Sequence, residues 1–269
     1  MSSLAAVIQM SSSPDRATNL ATAERLMEAA VGQGARLLVL PENFSFFGGS
    51  EEDKRAMRED PVTGPSLTFL KKFAAHHRVW ISGGSIPVAD PGSSKSLNVC
   101  YLVDEAGEVR ARYDKIHLFD VDIGDGVRYR ESDYVRPGKR PVVVDSPFGR
   151  IGLAVCYDLR FPELFRSLSA QNAEIFTLPA AFTVVTGRDH WEPLVKARAI
   201  ENFAYVLASA QWGQHAGGRQ THGRSMIVEP WGTVVAQCAD GVGYALAPIE
   251  RDRVTRCRQR IPCLTHRRL

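Results

Sequence analysis

The stretch Gly149-Arg150-Ile151-Gly152-Leu153-Ala154-Val155-Cys156-Tyr157-Asp158-Leu159-Arg160-Phe161-Pro162 decides the fold class. Ile151–Val155 is a continuous apolar run of strand length, the pattern of a strand buried on both faces. A polar turn follows, and Pro162 is a favoured first residue of a helix. A buried strand that turns into a helix is the unit of an α/β fold, and such folds build their sites at the C-terminal ends of strands. Cys156 sits at that end, where the dipole of a following helix is expected to give its thiol thiolate character. On this stretch alone the plainer reading, a buried structural cysteine, stays open.

The same grammar extends in both directions. Leu4–Ile8 reads as a strand, and Asn19–Gly34 places Leu20, Ala23, Leu26, Met27, Ala30 and Val31 on one helical face. Leu37–Leu40 is a second buried strand, ending at Pro41-Glu42. A helix near Ser66–His77 feeds a strand at Val79–Gly83. Leu97–Val103 and Val109–Tyr113 flank the turn Asp104–Gly107, and Val142–Asp145 pairs with Ile151–Val155 across Pro147–Gly149. Ile175–Leu178 and Tyr205–Ala210 are strands on either side of a helix at His190–Phe203, and Ser225–Glu229 with Thr233–Gln237 forms a last hairpin. Strand–helix units interleaved with hairpins are accommodated by two sheets packed face to face with helices outside. No Pro/Gly/Ser-rich linker divides the 269 residues, so residues 1–269 are read as a single domain.

Composition removes several classes of function. A net charge of +3 offers nothing to nucleic acid. The basic stretch Arg258–Arg268 is interrupted by Ile261, Pro262, Cys263 and Leu264 and reads as a solvated tail packed on the body. Five cysteines form no CxxC pair, which argues against a disulfide framework or a zinc site. No apolar run approaches the ~20 residues that span a bilayer, and no signal-peptide pattern opens the chain. A reducing cytoplasm is the expected location, with no membrane, metal or cofactor. HExxH, GxxxxGK[ST], GxSxG and GxGxxG are all absent.

Two further residues share the address of Cys156. Glu42 ends the strand Leu37–Leu40, and Lys115 ends Val109–Tyr113. Lysine is scarce here, seven against twenty-six arginines, so each one merits attention. Taken singly, Glu42 reads as a loop carboxylate and Lys115 as an edge-strand lysine. Together with Cys156 they supply what thiol-dependent amide hydrolysis needs: a nucleophile, a proton acceptor and donor, and a cation for the oxyanion. His117 and His190 lie in no recognised cysteine–histidine context. Trp191, Trp212 and Trp231 read as core or interface residues rather than base-stacking platforms. Arg198 and Glu201, at i and i+3, read as structural partners.

At these residues the chain resembles the nitrilase, or carbon–nitrogen hydrolase, superfamily. Leu38–Glu42 is similar to its glutamate motif, Arg112–Leu118 to its lysine motif and Gly149–Glu163 to its cysteine motif, in the family's order. The resemblance implies a four-layer α-β-β-α sandwich and a catalytic Glu42, Lys115 and Cys156, with Glu131 supporting the lysine. It also implies an amidohydrolase that cleaves a non-peptide carboxamide through a cysteine thioester and releases ammonia. Where the family often has Pro-Gly between the lysine and the second glutamate, this chain has Gly124-Asp125-Gly126, which leaves pocket access open. Segments Gly187–Glu192, Ala197–Asn202 and Gln211–Trp231 look most like the branch acting on deaminated glutathione. The ω-amidases of 2-oxoglutaramate and 2-oxosuccinamate, N-carbamoyl amino acid amidohydrolases and a non-catalytic oligomeric binding protein are the alternatives. The expected partner is a small amide carrying carboxylates, in a homodimer or larger homo-oligomer. The backbone N–H of Tyr157 is then expected beside Lys115 in the oxyanion site, Arg160 on a substrate carboxylate or in an ion pair with Glu163 or Asp158, and Phe182 and Thr183 in the pocket wall.

Overall fold

The structure, a computed structural model, describes residues 3–122 and 128–268. The chain opens with β1 (Ser3–Gln9), α1 (Arg16–Gly32), β2 (Ala35–Val39), α2 (Glu51–Ala56) and α3 (Pro65–His77). There follow β3 (Trp80–Ser82), β4 (Ile86–Ala89), β5 (Ser96–Val103), β6 (Val109–Asp114), β7 (Asp120–Asp122) and β8 (Arg128–Arg130). The second half runs β9 (Val143–Ser146), β10 (Gly149–Leu153), α4 (Pro162–Ala170), β11 (Ile175–Ala180), α5 (Val184–Asn202) and β12 (Tyr205–Ala210). It closes with β13 (Trp212–Gln214), β14 (Gln220–His222), β15 (Met226–Val228), β16 (Val234–Gln237), β17 (Gly243–Ile249) and α6 (Arg251–Arg260).

Two large sheets share one plan. In the first, of order β17-β1-β2-β3-β5-β4 with β6 on β5, the pairs β1–β2 and β2–β3 are parallel and the rest antiparallel. In the second, of order β16-β15-β12-β11-β10-β9, the parallel pairs are β10–β11 and β11–β12. The apolar runs explain the parallel centres: Leu37, Leu38 and Val39 are all buried, as a strand covered on both faces requires. Alternate residues separate two cores. Ala5, Val7, Leu37 and Val39 meet Ile151, Leu153, Ile175 and Leu207 between the sheets. Ala6, Ile8, Leu38 and Leu40 face Leu26, Met27, Leu70 and Phe73 of α1 and α3. Leu164 and Phe165 of α4 and Trp191 and Val195 of α5 cover the second sheet, completing the α-β-β-α sandwich.

Local chemistry sets the helix starts, and here the sequence reading needs correction. Helix α1 begins at Arg16 because the Asp15 carboxylate accepts from the backbone N–H of Ala17 at 2.9 Å and Thr18 at 3.4 Å. Helix α5 begins at Val184, six residues before the expected His190, capped by Thr183 and tolerating Pro193 inside. The largest departure lies at the C-terminus. Strand β17 contains Pro248, which argues against a strand, but it sits at the sheet edge, where a missing N–H is tolerated. Helix α6 buries only Val254 and Cys257, too little apolar face to register as a period. Arg258, expected in a solvated tail packed on the body, is half-buried in α6 and donates to the carbonyls of Ala173 and Phe203.

Candidate active site

The C-terminal ends of β2, β6, β10 and β11 open on one cavity of about 1060 Å³. Glu42, Lys115, Glu131, Cys156, Tyr157, Arg160, Phe182 and Thr183, the site residues expected from the sequence, all line it.

Glu42 leaves β2 through Pro41. The backbone there packs so closely on the end of β3 that a Cβ at Gly84 (φ +60) would collide with the Pro41 carbonyl. The Glu42 carbonyl accepts from Gln211 Nε2 at 3.0 Å, which fixes the turn. Lys115 directly follows β6; its N–H donates to Asn98 O at 2.9 Å and its carbonyl accepts from Gly138 N–H at 2.8 Å. Any side chain at Gly138 would strike the Asp114 carbonyl, so the chain passing behind the lysine must be glycine. Lys115 is buried, and its ammonium meets Glu42 Oε1 at 2.9 Å and Glu131 Oε2 at 2.8 Å. Asn98 Nδ2 bridges the two carboxylates, at 3.1 Å to Glu42 and 3.3 Å to Glu131. Glu131 Oε2 also accepts from Phe119 N–H at 2.7 Å.

Cys156 opens the turn after β10 with φ +50, a conformation unfavourable for any residue bearing a Cβ. Asp158, fully buried, holds that turn in place. One carboxylate oxygen accepts from Val155 N–H at 2.8 Å and Tyr113 Oη at 2.7 Å; the other accepts from His117 N–H at 3.1 Å and lies 2.7 Å from His117 Nδ1. The Cys156 turn is thus tied to the strand that delivers Lys115. From the other side Arg198 donates to Leu159 O at 2.7 and 3.0 Å while pairing with Glu201 at 3.0 Å, the structural partnership its spacing implied. Within the turn the first hydrogen bond is Asp158 N–H to Val155 O, so the N–H of Tyr157 belongs to the unsatisfied first turn.

Charge in the site differs from the sequence expectation. Burial pushes the Cys156 thiol well above its ordinary range and the negative charge of Glu42 adds to that; Lys115 and the Ala181 N–H pull the other way without prevailing. The expected thiolate is therefore not the resting form. Burial also raises Glu42, but the Lys115 ammonium and the adjoining thiol outweigh it and hold the carboxyl below the usual range. For Lys115 burial favours the neutral amine, yet Glu131 and Glu42 together keep it charged far into alkali. The site at rest is a thiol, a carboxylate and an ammonium.

Arg160 forms no ion pair with Glu163 or Asp158 among the described residues. Its guanidinium lies over the Phe182 ring at 5.3 Å, with Nη1 3.3 Å from His190 Nδ1. Thr183 lines the cavity while its hydroxyl caps α5. Gly124-Asp125-Gly126 lies outside the described residues. Sequence reasoning missed Asn98, Asp158 as a holding group, Ala181 and Arg219. Asn98 alone left a trace, an amide inside the apolar strand Leu97–Val103.

No helix among the described residues is long and apolar enough to cross a membrane. A family model described as carbon-nitrogen hydrolase matches residues 4–259. A deaminated glutathione amidase of Synechocystis sp. is 45% identical over 267 residues, covering 98% of this chain and 97% of its own length. The solved NitFhit protein of C. elegans superposes with a TM-score of 0.93 at 38% identity; the match covers 99% of this chain but 65% of that longer one. An amidase from Nesterenkonia sp. AN1, 26% identical with a TM-score of 0.81 over 97% of this chain and 98% of its own, bears acrylamide added to its active-site cysteine.

Proposed function

The chain belongs to the carbon–nitrogen hydrolase family, and we propose that it is an amidase acting on deaminated glutathione, with Cys156 as nucleophile and Glu42, Lys115 and Glu131 around it. The observation that supports this most is the meeting of those four side chains, from residues 42 to 156, at one end of a single cavity.

The chemistry follows from the resting charges. As the sulfur attacks the amide carbon, the S–H proton passes to Glu42. A thiol pushed up facing a carboxylate held low will not ionise beforehand, so proton loss and S–C bond formation proceed together. The carbonyl oxygen takes the negative charge, where the Lys115 ammonium and the Tyr157 N–H receive it. The C–N bond then breaks as Glu42 returns its proton to the nitrogen. Water attacks the thioester, again losing a proton to Glu42, and C–S cleavage restores the thiol. Glu131, bonded to both Lys115 and Phe119 N–H, keeps the ammonium aimed.

Atom balance corrects one expectation. Ammonia leaves only when the scissile nitrogen is unsubstituted; deaminated glutathione carries Cys-Gly on that nitrogen, so Cys-Gly and a 2-oxo diacid are the products. Arg160 is half-buried, has no carboxylate partner among the described residues and shares the cavity wall with Phe182 and Thr183, which supports its reading as the group that binds the 2-oxo acid carboxylate. The five free cysteines fit a reducing cytoplasm, and exposed Ile200 beside Trp231 offers a face for homo-oligomer contact. The test is the release of Cys-Gly from deaminated glutathione and of ammonia from 2-oxoglutaramate, in parallel, with Cys156→Ala as control. Turnover of neither by the wild-type chain refutes the reading.

A further inference from the structure

We propose that Arg219 forms a second carboxylate subsite, on the amine side of the scissile bond, so that the cavity selects amides whose departing amine itself ends in a carboxylate. The inference rests on the amidase reading above and names what that site recognises beyond the acyl half.

Six arginines line the cavity, and burial sorts them. Arg55, Arg128, Arg130 and Arg188 are exposed; Arg160 and Arg219 are the two that are half-buried. Arg219 is also fixed in place. Its guanidinium lies 5.4 Å from the Phe47 ring, 5.9 Å from Phe119 and 5.3 Å from Tyr129, a three-sided aromatic cage that sets its plane. One N–H donates to the Ala181 carbonyl at 3.1 Å, while Nε is sealed in the wall with no acceptor. A guanidinium has five donors, and among the described residues no carboxylate pairs with this one. Arg219 lines the cavity, and its remaining Nη donors are the kind that grip a carboxylate.

Position decides which end of the substrate it meets. Ala181 stands between Arg219 and the nucleophile: its N–H points to the Cys156 sulfur and its carbonyl holds the guanidinium. Arg160 sits over the next residue, Phe182. The two cations are thus anchored on neighbouring residues of the segment that meets the sulfur, and the Arg219 charge reaches Glu42. Arg219 packs on Phe47 in the loop leaving Glu42, the group that hands its proton to the departing nitrogen. A substituent on that nitrogen points towards Arg219, while Arg160 is left to the acyl half. In deaminated glutathione the nitrogen's substituent is Cys-Gly, whose terminal carboxylate is the charge such a cation would bind. An unsubstituted amide has nothing to offer there, so the same residue separates the two candidate substrates.

The experiment compares deaminated glutathione with its C-terminal carboxamide, which differs only in that one charge. We expect wild-type kcat/KM to favour the free acid by about 10- to 100-fold, the range of a charge-assisted hydrogen bond. Arg219→Gln should bring that ratio close to one, Arg219→Lys should restore part of it, and Arg160→Gln should lower both substrates together and leave the ratio standing. A packing role for Arg219 would depress both substrates equally. A wild-type ratio of one, or a ratio that survives Arg219→Gln, overturns the subsite. Turnover of 2-oxoglutaramate but of neither Cys-Gly amide overturns the subsite and leaves the amidase standing. An enzyme that cleaves none of the three removes both.

Discussion

Two cysteines are buried to nearly the same degree in this molecule and face opposite fates. Cys100 lies in the middle of β5, between the sheets, with Ser82 Oγ at 3.5 Å as its polar neighbour; burial drives its thiol up to about 12. Cys156 is 5% exposed, and burial raises it too. The difference is in what the burial is lined with. Around Cys100, among the described residues, burial and the Ser82 hydroxyl are what shift the thiol, and no carboxylate or ammonium acts on it. Around Cys156 there are Glu42, Lys115, the Ala181 N–H and an open cavity. A buried thiol is inert by default. What distinguishes the nucleophile is that its neighbours can accept the proton and the charge at the moment of attack.

The broadest way to break this comparison is to delete each sulfur. Cys156→Ala should abolish amide turnover while Cys100→Ala leaves kcat within a factor of about two, since substitutions away from the reacting atoms act through stability. Detectable turnover by Cys156→Ala, measured as amine release, would move the nucleophile elsewhere. Next in size is Lys115→Met. Loss of an oxyanion donor typically lowers kcat by about 10²–10³. Because Glu42 and Glu131 would then face each other without their cation, stability should drop as well, by about 3–5 kcal/mol for a broken buried ion pair. Thermal unfolding at pH 7 separates the two effects.

Glu131→Gln is milder: the amide can still accept from Phe119 N–H but no longer balances the ammonium, and a loss of about tenfold in kcat is expected. Unchanged kcat would remove Glu131 from the machinery. The pH response sharpens the same point. Glu42 is depressed, so the stability it adds is present above its ordinary value of 4.5 and is lost as pH falls through the lower folded value. Lys115 is raised, so its contribution is complete below 10.5 and is lost only as pH climbs through the higher folded value. Between those limits kcat/KM should be flat, with an acid limb set by Glu42 and no thiol titration near neutrality. An inflection in the wild-type kcat/KM profile between pH 6 and 8 would show that the resting proton sits elsewhere.

How far the sequence revealed this depended on which residues strand ends could point to. Glu42, Lys115 and Cys156 each end an apolar run, where a charge or a thiol is seldom accidental, so the site's centre was legible. Its surroundings were not. Asp158 was visible only as part of a motif, because its bonds to Tyr113 and His117 join positions far apart in the chain. Arg219 stands in a glycine-rich loop with no period, and its cage is assembled from residues 47, 119 and 129. The two sheets were legible from apolar runs, while β17 and α6 were hidden by a proline at an edge and by a helix almost entirely polar. Even the thiolate expectation failed for a three-dimensional reason: the dipole of a short turn is local, whereas burial and the Glu42 charge come from the fold.

The smallest effect probes backbone rather than chemistry, and it should change sign between the two cysteines. Cys156 holds φ +50, where a Cβ costs about 1–2 kcal/mol and glycine does not. Cys156→Gly should therefore be more stable than Cys156→Ala by about 1 kcal/mol, both being inactive. At position 100, paired with Tyr113 in the β5–β6 ladder, the backbone is extended and glycine only adds freedom to the unfolded chain. There Cys100→Gly should be less stable than Cys100→Ala by roughly 0.5–1 kcal/mol. Denaturant midpoints of the four variants at constant m-value measure both differences. If glycine is the worse residue at both positions, the nucleophile turn is not held under strain, and Asp158 would lose the role of holding it.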